Sequence, residues 1–243
     1  MNDSENLNQV MESSHVDPEV FVLRPDYRAV LIAADGLVPG PSDQASEDLL
    51  QQAERFASQL AATTPVDQLP HVAAWRDAYR DFGAKPQRTR NSLEALVRRA
   101  ATGLPRVNRL TDIYNAISVL HQVPLGGEDL TGYAGPPRLT RATGTEPFDT
   151  ATGGEDTTEF PEPGEVVWRD DVGVTCRRWN WRQARRTQLK DHTETALFIL
   201  DALEPLTDDA LHLAADALTF HLKRLGPEVQ IARRLIRLEP TPS

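Results

Sequence analysis

Arginine and tryptophan are concentrated in one short stretch of the chain. From Cys176 to Thr187 the sequence Cys-Arg-Arg-Trp-Asn-Trp-Arg-Gln-Ala-Arg-Arg-Thr holds two of the four tryptophans and five arginines. Arginine beside an exposed aromatic ring can bind phosphate while the ring stacks on an unpaired base. The pattern therefore indicates a nucleic-acid contact. It is also typical of an edge strand whose tryptophan face packs on the core and whose arginine stems cover apolar surface.

The distribution of charge favours a focused basic surface over a protein that coats nucleic acid. The net charge is −10, which argues against non-specific binding driven by summed positive charge. Residues 75–111 nevertheless hold nine basic and three acidic side chains, and residues 169–190 hold seven basic and two acidic ones. Two such segments could form one basic groove in an acidic protein. Acidic neighbours that close over them would explain the same composition.

The sequence lacks the common signatures of nucleotide, nucleophilic and metal chemistry. It has no Gly-x-x-x-x-Gly-Lys loop, no dinucleotide glycine fingerprint, no His-Glu-x-x-His helix and no Gly-x-Ser-x-Gly elbow. Its six histidines show no metal-ligand spacing, and its one cysteine, Cys176, reads as a small buried hydrophobe. We therefore expect no cofactor, no metal and no ATP, and the sequence assigns no catalytic residue.

The composition also bears on where the protein works. No segment approaches the roughly 18 uninterrupted apolar residues of a membrane helix, and residues 1–19 lack the basic-then-apolar layout of a signal peptide. A single cysteine excludes an internal disulfide, in agreement with a reducing compartment. We expect a cytoplasmic protein that does not enter a membrane, and the oligomeric state stays open.

The hydrophobic periodicity predicts an α+β fold, because helices are interspersed with pairs of strands. We expect residues 1–19 to be a disordered tail, residues 20–238 a single domain and residues 239–243 a second tail. Strands are predicted at 21–23 and 28–34, a mobile acidic loop at 153–164, and a hairpin at 165–170 and 174–181. Helices are predicted at 43–62, after Pro70, and at 92–102, 110–122, 193–203 and 207–225.

Three polar residues near the start of the helix at 110–122 are candidates for contact with a substrate. Asn108 precedes the helix, and Asp112 and Asn115 lie on one of its faces because they are three residues apart. These side chains could hold a ribose or an amino group. Helix capping and a buried polar bracket explain them equally well.

Six sequence fragments, taken together, resemble one known family. They are Trp75-Arg76-x-x-Tyr79-Arg80-x-Phe82-Gly83-x-Lys85-Pro86, Arg90-x-Ser92-x-Glu94-Ala95-Leu96-x-x-Arg99, Leu104-Pro105-x-Val107-Asn108-x-Leu110-x-Asp112-x-Tyr114-Asn115, Pro124-x-Gly126-Gly127-x-Asp129-Leu130, Gly164-Glu165-Val166-Val167-Trp168-x-Asp170 and the strip 176–187. In this order they resemble the tRNA-binding and editing domain of the phenylalanyl-tRNA synthetase beta subunit. The resemblance is to free-standing versions of that domain and covers residues 20–225.

The resemblance implies an α+β fold of two interlocked subdomains, with mixed and antiparallel sheets packed against helices. It also implies a pocket for the aminoacylated 3′ end of a tRNA. In the full synthetase this domain hydrolyses a wrongly attached tyrosyl ester with a positioned water rather than a protein nucleophile. Such hydrolysis depends on water placement and on stabilisation of the developing oxyanion.

This chain departs from the family pattern at two places. Bacterial synthetases of the family have a histidine where this chain has Gly126. They also carry a Gly-Gly-Glu segment whose glutamate reads the tyrosine hydroxyl, where this chain offers Gln183 and Ala184. Tyrosine selectivity is therefore not carried over, since a buried acceptor for that hydroxyl provides most of the discrimination.

We expect a free-standing relative of the editing domain that binds aminoacyl-tRNA and hydrolyses a mischarged aminoacyl ester in trans. Two alternatives stay open: a non-catalytic tRNA- or RNA-binding module, and an aminoacyl-tRNA-dependent transferase that passes the acyl group to a small amine. The residues expected near the substrate pocket are Asn108, Asp112, Asn115, Gly126, Gly127 and Asn180. The residues expected to contact RNA are Arg88, Arg90, Arg99, Arg177, Arg178, Trp179 and Arg182.

Overall fold

A four-stranded antiparallel sheet runs through the centre of the protein. The structure is a computed structural model that describes residues 3–239. The sheet contains β2 (Arg28–Asp35), β3 (Leu125–Asp129), β10 (Ala196–Ala202) and β11 (Gln230–Arg237), in the order β11-β2-β10-β3. Strands β2 and β10 are buried along almost their whole length. A strand covered on both faces needs a continuous apolar run rather than alternation, and both strands have one.

Four helices cover one face of this sheet. They are α3 (Gln44–Thr63), α5 (Ser92–Ala100), α6 (Arg109–His121) and α7 (Asp208–Leu222). Their apolar stripes pack on the side chains of Val30, Ile32 and Phe198 in one large hydrophobic core. The side chains of Asp43, Asn91, Asn108 and Thr207 cap the four helices by accepting a hydrogen bond from a backbone N–H of the first turn.

The opposite face of the sheet carries a second core that is rich in aromatic residues. Ala29, Leu31 and Leu197 point into it, together with Trp75 and Trp179. Three helices contribute to this side: α1 (Asp3–Ser13), α2 (Pro18–Leu23) and α4 (Pro70–Asp81). The side chain of Trp75 comes from α4, and that of Trp179 comes from a loop of the second sheet.

The second sheet has seven strands. They are β1 (His15–Val16), β4 (Arg138–Arg141), β5 (Phe148–Thr152), β6 (Glu155–Glu159), β7 (Val166–Arg169), β8 (Val174–Arg177) and β9 (Arg182–Gln183). The order is β1-β4-β7-β8-β5-β6, and β9 pairs with β8. Most pairs are antiparallel, but β1 joins β4, and β5 joins β8, in parallel. The expected α+β fold with mixed and antiparallel sheets packed against helices is confirmed.

Two predicted elements have the other type of secondary structure. The segment predicted as a helix at 193–203 is the central strand β10, because a short apolar run buried on both faces has no period that separates strand from helix. The segment predicted as a strand at 21–23 is the end of α2, a helix that starts at Pro18. Proline is favoured in the first helical turn, where its missing N–H costs nothing.

The start of the chain is ordered, contrary to the expectation of a disordered tail at 1–19. Helix α1 buries Leu7 and Met11, four residues apart on one face, in the aromatic core. The guanidinium of Arg234 donates to the carbonyl oxygens of Met11 and Ser14 at 2.5 and 2.8 Å, near the C-terminal end of the helix. The first two residues, and residues 240–243 of the predicted tail at 239–243, lie outside the described residues.

No helix within residues 3–239 is long and apolar enough to cross a membrane.

Candidate functional site

A cavity of about 250 Å³ lies where the two sheets and the helices α5 and α6 meet. Its floor is one face of β3 and β10, which carries Gly126, Glu128, Ile199 and Asp201. These residues share a face because side chains alternate along a strand and Gly126 pairs with Ile199. The walls come from α5, α6, β7, β8 and the segment that connects β8 to β9.

Asp201 is a buried carboxylic acid at one end of the cavity floor. It is 2% exposed, and burial raises its pKa to about 7, although hydrogen bonds partly oppose this shift. The hydroxyl of Tyr27 donates to Oδ1 at 2.6 Å, and the amide of Asn180 donates to Oδ2 at 3.3 Å. The hydroxyl of Tyr79 in turn donates to the Asn180 side-chain oxygen at 3.0 Å. Asp201 therefore fixes the Asn180 side chain on the cavity wall.

Glu128 is a second buried acid, toward the other end of the floor. Its strand partner is Leu197, four residues before Asp201, so the two acids stand about 13 Å apart along the strand. Glu128 is 1% exposed, and burial raises its pKa to about 7 against the lowering effect of hydrogen bonds. The hydroxyl of Tyr133 donates to Oε2. A carboxyl group that titrates near neutral pH is suited to accept or return a proton.

Three donors in the cavity wall have no hydrogen-bond partner within the described residues. They are the hydroxyl of Ser92 and the indole N–H groups of Trp168 and Trp179, which lie near the Asp201 carboxyl group and the Tyr27 hydroxyl without a well-formed hydrogen bond to either. Both indole rings are almost completely buried. Because an unpaired buried donor costs about 1–3 kcal/mol, these groups are suited to meet acceptor atoms of a ligand or water.

The loop after β8 is strained where it forms the cavity wall. Arg178 and Trp179 have φ angles of 48° and 67°, in the left-handed region that side chains disfavour. Such residues cost about 1–3 kcal/mol each and persist where surrounding contacts hold them. Here the Trp179 amide donates to the Val166 carbonyl at 2.7 Å, and the Ser92 amide donates to the Asn180 carbonyl at 3.0 Å. Strain of this kind is concentrated at functional sites.

Two arginine side chains lie over the ring system of a half-buried tryptophan at the edge of the cavity. The guanidinium carbons of Arg178 and Arg182 lie 4.5 and 4.7 Å from the centre of a Trp181 ring. Arg178 also donates to the hydroxyl of Thr89, in the segment before α5. The segments 85–99 and 177–182 therefore meet beside the cavity, although they are far apart in the sequence.

Carboxylates neutralise part of this basic strip. Glu165 accepts two hydrogen bonds from the guanidinium of the buried Arg177, at 2.9 and 2.8 Å. Glu159 on β6 accepts from Arg177 at 2.8 Å and from Arg182 at 2.5 Å. The residues predicted as a mobile acidic loop thus include an ordered strand that contacts the arginines.

Comparison with known proteins identifies the family of this chain. A family model described as the B3/4 domain matches residues 74–236. The chain belongs to the B3/4 domain family. Among solved structures, this B3/4 domain is similar to an N-terminal fragment of the phenylalanyl-tRNA synthetase beta subunit from Pyrococcus horikoshii, with 15% identity and a TM-score of 0.45. The similarity covers 90% of this chain and 50% of that chain, so this chain spans about half of its length. The comparison with curated proteins found no match.

The B3/4 domain brings three of the six predicted pocket residues to the cavity: Asn115, Gly126 and Asn180. Asn108 instead caps α6 by accepting from the Thr111 amide at 2.8 Å. Asp112 accepts from the Val107 amide at 2.9 Å and from the Ser42 hydroxyl at 2.5 Å. These two polar residues have the structural role that the sequence had left open.

Gly127 packs on the other side of β3 from the cavity. A Cβ atom there would lie 2.9 Å from side-chain atoms of Leu189 and of Phe198, which belongs to the helical core. Glycine at this position therefore allows close packing and does not line the cavity. Gly126 differs, because a Cβ atom there would stand 3.1 Å from the Gln183 side-chain nitrogen, which also lines the cavity.

The predicted RNA-contact residues fall into two groups. Arg88, Arg90 and Arg99 are exposed. Arg99 continues the stripe of Ser92, Ala95 and Leu96 that faces the cavity, since residues three and four apart share a helix face. Arg177 is buried by its carboxylate partners, whereas Arg178 and Arg182 are partly exposed beside Trp181.

The expectation that Trp179 stacks on RNA was wrong. Its side chain is 0% exposed and packs edge-on against Tyr27 and Trp75, with ring centres 5.0 and 5.3 Å away. The left-handed backbone at Arg178 and Trp179 breaks the strand alternation that the sequence had suggested. Trp181 is only partly buried and is the more exposed ring of the pair.

The sequence reasoning missed both buried acids. Asp201 was placed inside a predicted helix, and Glu128 was one of the two unspecified positions in the fragment from Pro124 to Leu130. An acidic residue inside a fully apolar strand is the signal that would have drawn attention to Asp201. Cys176 is buried as expected, and burial raises the pKa of its thiol well above its usual value. No group of metal-binding side chains occurs among residues 3–239.

Proposed function

We propose that this protein binds the aminoacylated 3′ end of a tRNA and hydrolyses the aminoacyl ester in trans. The observation that carries the proposal is the cavity, which combines two buried carboxyl groups with three unpartnered donors and adjoins an arginine-rich surface. The resemblance of the sequence to the editing domain of the synthetase also supports this proposal.

The cavity suits a single amino acid. Its volume of about 250 Å³ lies below the roughly 300–1,000 Å³ of pockets for drug-sized ligands. Leu125, Ile199 and Trp181 offer apolar contact to a side chain. The indole N–H groups and the Ser92 hydroxyl can donate to the ester carbonyl, whose oxygen gains negative charge during hydrolysis.

The surface beside the cavity suits the end of a single RNA strand. Arg88, Arg90 and Arg99 supply exposed positive charge for phosphates, and Trp181 supplies a ring for stacking. Only a few phosphates need be bound in this way, which is compatible with a net charge of −10. Affinity should therefore fall with salt, with a shallow slope.

Water is the best candidate for the attacking group. The thiol of Cys176 is buried with a raised pKa, and a thiol rather than a thiolate is a poor nucleophile. Ser92 has a hydroxyl in the cavity but no hydrogen bond to a base among the described residues. The carboxyl group of Glu128, whose pKa is about 7, is instead available to a water molecule.

A panel of aminoacyl-tRNAs tests the proposal. Each ester is incubated with the protein, and its loss is followed with and without small amines. We expect at least one ester to be hydrolysed at a rate proportional to protein concentration. Replacing Arg90 and Arg99 by alanine should raise the tRNA concentration needed for half-maximal rate, whereas Arg55→Ala, an exposed arginine on α3, should not. Stability of every ester to the protein would reject the proposal.

One observation favours a non-catalytic RNA-binding module as the second candidate. At Gly126, where the bacterial synthetases carry a histidine, the side-chain nitrogen of Gln183 occupies the adjoining space. A module of this kind would bind uncharged and aminoacylated tRNA equally and hydrolyse neither. Transfer of the acyl group to an added amine would instead indicate the transferase.

A further inference from the structure

The two acids of the cavity differ in how many hydrogen bonds they already accept. Both oxygens of Asp201 are occupied, one by the Tyr27 hydroxyl and the other by the Asn180 amide. Asn180 is held in turn by the Tyr79 hydroxyl. The hydrogen bonds among these side chains therefore leave no unoccupied oxygen on Asp201. Asp201 therefore serves mainly to hold the strained loop in place.

Glu128 has an acceptor to spare. Its Oε2 accepts from the Tyr133 hydroxyl, and the hydroxyls of Thr175 and Thr187 also lie near the carboxyl group, although neither makes a well-formed hydrogen bond to it. The side chain is 1% exposed and lines the cavity. Gly126, two residues earlier on the same strand face, adds no side chain to the floor. A water molecule bound in the cavity can therefore donate to Oε1 of Glu128, which accepts no well-formed hydrogen bond from the described residues.

We infer that Glu128 is the general base of the hydrolysis, which removes a proton from the attacking water. The inference rests on the proposed function. Oε1 takes one proton from water as the water oxygen bonds to the ester carbonyl carbon. The bond from that carbon to the ribose oxygen then breaks, and the proton passes to the leaving oxygen. The products are the free amino acid and the tRNA hydroxyl, and no oxidant or further reactant is needed.

Groups from every neighbouring element set the ionisation of Glu128. Tyr133 follows β3, Cys176 lies on β8 and Tyr114 on α6, and all three stay neutral because burial raises their pKa. Arg186 contributes positive charge, although its guanidinium is already held by both oxygens of Asp170 at 2.7 Å. Burial thus dominates, which leaves Glu128 with a pKa of about 7. A base of this strength is half ionised near neutral pH.

The test compares Glu128→Gln with wild type on the ester that wild type hydrolyses fastest, in single turnovers between about pH 5 and pH 9. We expect the wild-type rate to rise with pH and level off above about 7, where Glu128 is ionised. Glu128→Gln should lower the rate by about 10²–10⁴-fold and abolish this pH dependence. Glu155→Gln, an exposed acid on β6, is the matched control and should behave as wild type.

Two further measurements separate catalysis from folding and binding. Glu128→Gln should bind a tRNA that carries the amino acid through a non-hydrolysable 3′-amide as tightly as wild type does. Tyr133→Phe removes the hydrogen bond that lowers the pKa of Glu128, so the midpoint of the pH profile should move to higher pH. This variant keeps the base and tests the inference even if Glu128→Gln is unstable.

The outcomes also separate the inference from the proposed function. If wild type hydrolyses an ester and Glu128→Gln does so within about tenfold of the same rate, the general base lies elsewhere and the proposed function still stands. An unshifted profile in Tyr133→Phe would likewise overturn the role of Glu128. If wild type hydrolyses no ester, both the function and the inference are rejected.

Discussion

The backbone amide of Ser92 donates a hydrogen bond of 3.0 Å to the carbonyl oxygen of Asn180. This bond joins the start of α5 to the strained loop after β8, two segments that are 88 residues apart in the sequence. Both residues also line the cavity. This contact and the bond from Arg178 to Thr89 join the two arginine-rich segments, so the basic surface adjoins the cavity.

The acidic strand β6 should limit the affinity of this site for RNA. Glu159 neutralises Arg182, whose side chain is partly exposed, while Arg177 keeps Glu165 as a second partner. In Glu159→Gln, Arg182 becomes available to a phosphate. We expect tighter tRNA binding, and a slope of log affinity against log salt that is steeper by about 0.7 for each added phosphate.

A salt titration of tRNA binding measures this effect. Glu155→Gln removes the same charge from the same hairpin but involves an exposed residue outside the arginine contacts described above, so its slope should match wild type. Equal slopes for Glu159→Gln and wild type would show that Arg182 does not contact phosphate.

The two neighbouring tryptophans should respond to mutation in opposite ways. Trp179→Ala removes a ring that is 0% exposed, and we expect a loss of about 3–5 kcal/mol in the free energy of unfolding in urea. Trp181→Ala should cost less stability but weaken binding of single-stranded RNA by about 1–3 kcal/mol, the value of one stacked base. Each variant is the control for the other, and equal effects on RNA binding would contradict the assignment.

The contrast between these tryptophans shows how far the sequence could predict the site. Alternation along a strand placed Trp179 and Trp181 on one face, but the left-handed backbone at Arg178 and Trp179 separates them. Non-glycine residues adopt this conformation only when tertiary contacts enforce it, so no local rule predicts it. The capping residues Asn91 and Asn108 were predictable because a cap acts within one helical turn.

Burial against parts of the chain that are distant in sequence explains the remaining differences. The segment Ala196–Ala202 was predicted as part of a helix because its apolar run has no distinguishing period, and Asp201 was therefore not recognised as a cavity residue. Leu7 and Met11 are two apolar residues in a polar stretch, and their burial depends on β11 at the far end of the chain. Such long-range partners decide order but leave little trace in local composition.

The free energy of unfolding should depend on pH in a way that reveals the raised pKa of the buried Asp201. The pKa of Asp201 is raised from 3.8 to about 7, so between these values the folded protein binds more protons than the unfolded chain. The stability that this extra proton binding contributes is fully present below about pH 4. It is lost as the pH rises to about 7, by at most about 1.4 kcal/mol per pH unit. Glu128 acts in the same direction.

His71 opposes this trend, because burial lowers its pKa from 6.5 to about 4. The measurement is therefore a difference: the free energy of unfolding of Asp201→Asn minus that of wild type, followed from about pH 4 to pH 7. We expect the wild-type stability to decline relative to the variant as the pH rises. A constant difference across this range would show that Asp201 is ionised in the folded protein.

The most direct test of the account is a crystal structure with an adenosine that carries an amino acid through a 3′-amide, a non-hydrolysable mimic of the charged tRNA end. We expect the aminoacyl group in the cavity, with its carbonyl within about 3 Å of an indole N–H or the Ser92 hydroxyl. The adenine should lie toward Trp181. An analogue bound at any other surface, with the cavity unchanged, would contradict the assignment of this cavity as the aminoacyl site.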